Sequence, residues 1–286
     1  MAHFSYGDSY RTDPAIFAFT YGNEHPISVT VDRQYIDLDR ENKRTVPAGL
    51  FVAEYNNTFR FLPRGTVTQA LVTGQDYFKM TPYNVFVPGD VLSILEPYSV
   101  LTITSASVGQ TTTLSILNPT NANAVTSIAP SSVVTEVAEQ VAKDFNKAPY
   151  ISDHLNFFAT GNKVYITSKN RISYEIEKGG TVTSTLSETV LTLDTNPIGT
   201  VKVHVPSTGT TYLEAVATVD VPVGVKIGVP VSKVLGLHSH AVDFNNAPSR
   251  DIAVCNQSPG VRKQLLPYFD YDLETRFPQM TFDTKF

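Results

Sequence analysis

One stretch restricts what this chain can fold into more than any other: Ser131 to Asn146, reading SSVVTEVAEQVAKDFN. Val134, Ala138, Val141 and Phe145 recur three or four residues apart, which places them on one face of a helix. Glu136, Glu139, Lys143 and Asp144 fall mostly on the remaining surface. Ser131 or Ser132 is placed to cap the first turn, the early acids suit the positive end of the helix dipole, and Pro149 marks the stop. No other window repeats this period, so the remaining chain must find its structure in strands. Directly after the helix, HLNFFAT and KVYITS alternate on either side of Gly161-Asn162, which is a hairpin signal. The expected product is a helix laid on the apolar face of two antiparallel strands. It carries no catalytic signature.

The composition agrees. With 286 residues, 42% apolar and 17% charged, the chain can bury one large or two medium cores, and the composition argues against bulk disorder. A net charge of −5 gives no electrostatic footprint for nucleic acid or an anionic membrane, so neither is an expected partner. Cys255 is the sole cysteine, which rules out an intrachain disulfide and a cysteine-based metal cage. The opening MAHFSYGDSYRTDP has no basic and apolar leader pattern, and no apolar run reaches the length of a membrane span. A soluble, β-rich protein made in the cytoplasm of its host cell is expected.

Residues 1–26 alternate little but hold Phe4, Tyr6, Tyr10, Phe17, Phe19 and Tyr21. Two readings stand: an irregular segment packed on its own domain, or an arm whose aromatics dock on a neighbouring subunit. From Ile27 to Leu95, short strands (ISVTVD, QYIDLD, GLFVAEY, TFRFLP, VLSIL) are punctuated by Asn, Pro and Gly, with a hairpin turn at Asn56-Asn57. Such spacing predicts a small barrel or sandwich. Between Pro97 and Asn123, Thr and Ser alternate with Val, Leu and Ile, the pattern of exposed antiparallel strands, and NPTNANAVTSIAP reads as a loop into the helix.

After the hairpin, ISYEIE places Ile172, Tyr174 and Ile176 inward and is broken by Gly179-Gly180. GTVKVHV places Val201, Val203 and Val205 on one face. The last segment, from Pro259, holds Tyr268, Phe269, Tyr271, Phe277, Phe282 and Phe286 without firm period. The organisation expected is a mainly β protein with a small β-barrel or sandwich core. That core is discontinuous, from residues 27–96 and 221–286 with a C-terminal tail; residues 97–220 form an inserted α+β domain and residues 1–26 an N-terminal arm.

Candidate chemistry is sparse. His238 and His240 share a strand face and could meet one metal ion, but Asp243 falls on the other parity. A pair of polar or half-buried histidines in a loop after Leu235-Gly236-Leu237 accounts for them, and His204 sits on the face of its strand that carries Lys202. Asp37 and Asp39 share a face among Arg33, Arg40, Lys43 and Arg44, an ion-pairing arrangement. Cys255 follows a β-like run as a small, partly buried residue. No phosphate loop or nucleophile elbow occurs. No enzyme, metal or cofactor is expected, and surface contact is what remains.

Several stretches resemble the head decoration (cement) proteins of tailed bacteriophages. They are QYIDLDRENKRTVPAGLFVAEYNNTFRFLPRG with TPYNVFVPGDVLSIL, and KVLGLHSHAVDF as a returning strand of the same core. The segment SSVVTEVAEQVAKDFNKAP with FFATGNKVYITS is similar to a helix-plus-hairpin module of phage structural proteins. The resemblance implies a structural virion protein on the outer surface of the capsid, a homotrimer that clamps neighbouring major capsid subunits. The aromatics of residues 1–26 and of the C-terminal segment would then be the contacts with the capsid or with other subunits. The alternatives are a tail, baseplate or neck protein and, further off, a receptor- or carbohydrate-binding protein; against the last, the chain has no Trp for stacking on sugars.

Overall fold

Alternating Val, Ile and Phe on short strands need a second layer to cover them, and the chain supplies it by joining strands from its two ends. The computed structural model describes residues from Ile27 to Asp283, apart from 37–42, 75–76, 79, 82–84, 120–121, 195, 208–209, 216–217, 232 and 239. The fold is mainly β, with a closed five-stranded barrel. Around it run Ile27–Asp32, Ser249–Cys255, Lys233–His238, Phe51–Tyr55 and Thr58–Phe61, and a parallel contact, Val31 with Phe59, closes the ring. The expected hairpin at Asn56-Asn57 is present. Both residues take positive φ, 49° and 60°, as a two-residue turn between right-twisted strands requires.

Beside the barrel lies a seven-stranded sheet that includes Arg64–Val67, Val91–Ile94 and Lys226–Gly228. It also takes in Gly199–Ser207 and Thr210–Ala215. These last two fall within residues 97–220, yet they pair toward Val91–Ile94 and Tyr77–Phe78 rather than with the helix unit. One apolar core serves both barrel and sheet, from Val29, Val52 and Phe61 to Ile94, Ile227 and Val254.

The helix spans Val134–Lys147 and buries Val137, Ala138, Val141, Ala142 and Phe145. Its cap differs from expectation: Val133 is the N-cap and has no side-chain acceptor, and Ser131 Oγ accepts the Val133 N–H at 3.1 Å instead of an N–H of the first turn. Pro149 does not only end the helix; it opens a short second one, Pro149–Ser152. The hairpin pairs Leu155 with Ser168 through Thr160 with Lys163, leaving Gly161-Asn162 as the turn. Tyr98–Ser105 extends this sheet, and Ser99, Leu101 and Ile103 are buried on one face. These Thr-rich strands are therefore half-buried rather than exposed, since the helix unit sits over their apolar residues.

Several expectations change. NPTNANAVTSIAP holds a strand, Ala122–Ile128, whose polar composition reflects a solvent-facing side. Gly179-Gly180 does not break its strand, which runs from Glu175 to Gly180. Gly180 has φ +100°, and a Cβ there would meet Thr111 O at 2.2 Å, so glycine lets the two backbones approach. Ile172 is 44% exposed because it precedes that strand, while Tyr174 and Ile176 are buried as expected. In place of a strand at QYIDLD, Arg33–Tyr35 forms a 3-10 turn capped by Asp32, and residues 37–42 lie outside the described set. The C-terminal segment is no free tail: Ser258–Arg262 pairs in parallel with Met280–Asp283, and Tyr271–Arg276 is helical between them.

Candidate functional surface and a charged junction

The strand Ala122–Ile128, ANAVTSI, pairs on one side with Thr111–Asn118. Among the described residues nothing pairs with its other side. Its inner face is held to the helix by Ser127, whose Oγ donates to Asp144 Oδ2 at 2.7 Å. Ala124, Thr126 and Ile128 face solvent, Ile128 at 60% exposure. Natural edge strands are usually guarded by a charge, a proline or a bulge that points the edge away. This one carries no charged residue and no proline; it has a bulge between Ala122 and Val125, and beyond it Val125–Ile128 is regular. At its end, the turn holding Val108 bonds to Ala129 on both sides, Gly109 N–H to Ala129 O at 3.0 Å and Ala129 N–H to Gln110 O at 2.7 Å. Val108 is 73% exposed. An uncharged edge with apolar residues beside it suits addition of a strand from another chain.

The aromatics expected to make contacts divide into four groups. Phe4, Tyr6, Tyr10, Phe17, Phe19, Tyr21 and Phe286 lie outside the described residues. Tyr268 and Phe277 are buried in the chain's own third core, with Phe51, Leu62, Leu237 and Leu273. That is a correction for these two: their area is spent inside the chain, because the C-terminal segment covers the face of Phe51–Tyr55 opposite Val52. Phe269 and Phe282 pack at the rim of the same core, ring centroids 4.7 Å apart. Tyr271 begins the short helix.

Composition did not point to the charged groups that the fold gathers. Arg60 is buried and binds Asp90 with both guanidinium NH groups, at 2.8 and 2.7 Å, and donates to Val85 O. Tyr35 and Tyr55 lie 5.1 and 5.3 Å from its guanidinium. Arg64, four residues on, reaches the other end of the chain: Asp270 at 3.1 Å and Asp272 at 2.9 Å. Asp272 also takes Arg171 at 2.7 Å and Arg276 at 2.9 Å. Asp270 caps the short helix at Leu273 N–H and accepts the Tyr268 hydroxyl. Burial works against the Arg64 charge, but Asp270, Tyr268 and Asp272 outweigh it and raise its pKa. Burial opposes ionisation of Asp272 too, but Arg276, Arg64 and Arg171 hold its carboxyl below the ordinary value. Glu96, buried against Lys226 at 3.1 Å, is raised by desolvation.

His238 is the last residue of its strand and is buried at 4% exposure, not a loop residue. Its Nδ1 faces Ala253 O at 3.3 Å, its ring packs 5.7 Å from Phe61, and burial lowers its pKa to about 4. His240 is exposed, with its ring 6.5 Å away, and Asp243 Oδ1 is bonded to Asn245. Among the described residues no three metal-binding side chains gather. His204 lies in the strand Gly199–Ser207, Asp37 and Asp39 are outside the described residues, and Cys255 is buried. No helix among the described residues is long and apolar enough to cross a membrane. Comparison with models of known protein families and with characterised proteins returned no match.

Proposed function

We propose that the chain is a structural virion protein that binds the outside of an assembled phage capsid as a trimer and clamps neighbouring major capsid subunits. In this reading residues 97 to about 194 are an α+β unit inserted in the barrel's chain, and residues 1–26 are an arm laid on a neighbour. The observation that carries it is the uncharged edge Val125–Ile128, the regular part of its strand and a contact surface made of backbone donors and acceptors rather than of catalytic groups. The described parts of the stretches that resemble decoration proteins fall on barrel strands and the adjoining sheet, and the helix and hairpin that resemble a module of phage structural proteins form a second unit. The mechanism is linkage, since a protein that binds the assembled lattice and not its separated subunits stabilises the lattice. Several weak contacts made by one trimer multiply through effective concentration.

Light scattering after size exclusion, alone and with undecorated heads, tests this. A trimer of 31.4 kDa chains that co-elutes with heads and raises their melting temperature is expected. A monomer or hexamer that ignores heads overturns it in favour of a tail, baseplate or neck component.

A further inference from the structure

A cleft of about 290 Å³ opens where three parts of the chain meet, lined by Asn156, Lys169, Lys226, Lys263, Phe269, Asp270 and Glu274. Asn156 belongs to the hairpin and Lys169 follows it, Lys226 comes from the seven-stranded sheet, and Lys263 and Phe269 come from the C-terminal segment. The carboxylates here are already engaged. Asp270 accepts from Arg64, Tyr268 and the Leu273 N–H; Glu274 takes Lys263 at 3.3 Å; Glu96 takes Lys226 at 3.1 Å. Donors are in surplus. Each ammonium carries three N–H groups, and the partners seen are few: Ser152 O for Lys169, Glu96 for Lys226, Glu274 for Lys263, whose Nζ also lies 4.4 Å over the Phe269 ring.

Charge points the same way. Lys169, Lys226, Lys263, Arg64, Arg171 and Arg276 surround this junction with Glu96, Asp270, Asp272 and Glu274, so it is locally positive in a chain of net charge −5. At roughly 30 Å³ per water the cleft has room for a hydrated tetrahedral anion, and flexible ammonium groups bind phosphate as point charges.

We propose that this cleft binds a compact oxyanion, inorganic phosphate or a phosphoryl group, held by Lys169, Lys226 and Lys263. Because the three lysines come from separate parts of the chain, the bound anion ties the hairpin, the sheet and the C-terminal segment together. Ligand bound only by the folded form raises the melting temperature in proportion to occupancy.

The test is thermal unfolding of the full chain in low-millimolar sodium phosphate, with ionic strength held by sodium chloride, and isothermal titration with the same anion. A saturable rise in Tm is expected. Lys169→Ala and Lys263→Ala are expected to weaken the apparent affinity roughly tenfold each, the equivalent of one charge-assisted contact. Lys169 is exposed, so its variant keeps the fold even if loss of Lys263 from Phe269 does not. Lys143→Ala, on the exposed side of the helix, is expected to change nothing. No saturable rise, an equal rise with acetate, or an equal loss in Lys143→Ala overturns the proposal. None of these outcomes depends on a capsid.

Discussion

The core beneath the helix draws every buried side chain from the single run Leu101–Leu191, whereas the core shared by barrel and sheet draws from Val29–Ile94 and again from Ile198–Val254. Among the described residues, Tyr165 of the hairpin is the one buried residue between Ile94 and Ile198 in that second core. The first closes within its own run, its farthest-reaching ladder setting Leu101 beside Leu186; the second must bring opposite ends of the chain together, Val29 beside Ile252, before any contact repays the lost chain entropy. They are nonetheless joined. Tyr98, Val100 and Phe158 pack with Tyr165 on the barrel-side core, and this is why Val164–Ser168 are buried on both faces of their strand. The charged junction adds Arg171 to Asp272 across the same boundary. Two cores of opposite construction are therefore expected to unfold together.

The sharpest way to break this picture is to injure each core alone. Asp90→Ala leaves Arg60 buried without its carboxylate and is expected to cost about 3–5 kcal/mol. Phe145→Ala, at the centre of the helix unit, is expected to cost a similar ~3–5 kcal/mol through the cavity it leaves. Urea unfolding followed by near- and far-ultraviolet circular dichroism should show a single transition moved by either variant. Two transitions, each moved by one variant only, would separate the cores.

Acid should strike the barrel side. The pKa of His238 is lowered to about 4. The unfolded chain therefore takes up a proton below about pH 6.5 that the folded chain refuses, and stability falls as pH drops toward 4, by up to about 3 kcal/mol. Glu96, raised by burial, works in the opposite direction, so the comparison is with His238→Gln at each pH. The variant should lose less stability than the parent between pH 7 and 4.5. An equal loss in both would remove His238 from the account. Asp272, with its lowered pKa, contributes stability that is lost only at still lower pH.

A smaller change should loosen the seam itself. Gly224 has φ +96°, and a Cβ there would meet Phe158 Cε1 at 2.5 Å. Gly224→Ala is expected to cost about 2 kcal/mol from overpacking and left-handed strain. It should also broaden the common transition, and an unchanged width would mean the seam carries little coupling. The smallest effect on stability belongs to Thr126→Lys on the open edge, within about 0.5 kcal/mol. That charge should abolish binding of the partner while the fold stands. Normal binding by the variant would move the contact surface elsewhere.

Legibility followed the same division. The helix face Ala138, Val141 and Phe145, the Gly161-Asn162 hairpin and the Asn56-Asn57 turn were readable because each depends on residues within a few positions. The strand Ala122–Ile128 was not, since Asn and Pro disguise an element whose inner face is only Val125 and Ser127. Val133 took the place of Ser131 or Ser132 as cap through a local turn that composition does not reveal. The basic cleft was invisible because its lysines stand at 169, 226 and 263 with no motif between them.

By itself the sequence determined the β character, the one long amphipathic helix, two hairpin turns and the absence of any possible intrachain disulfide, all properties of composition or of short-range period. Only the tertiary structure decided that Ile27–Asp32 and Ser249–Cys255 would close a barrel with Phe51–Tyr55. It also decided that the C-terminal aromatics would seal the chain's own core, and that Arg64 would find Asp270 and Asp272 more than two hundred residues away. Partners for buried groups at that separation are set by strand register, and alternation along one strand shows which face is buried but not which residue lies opposite it.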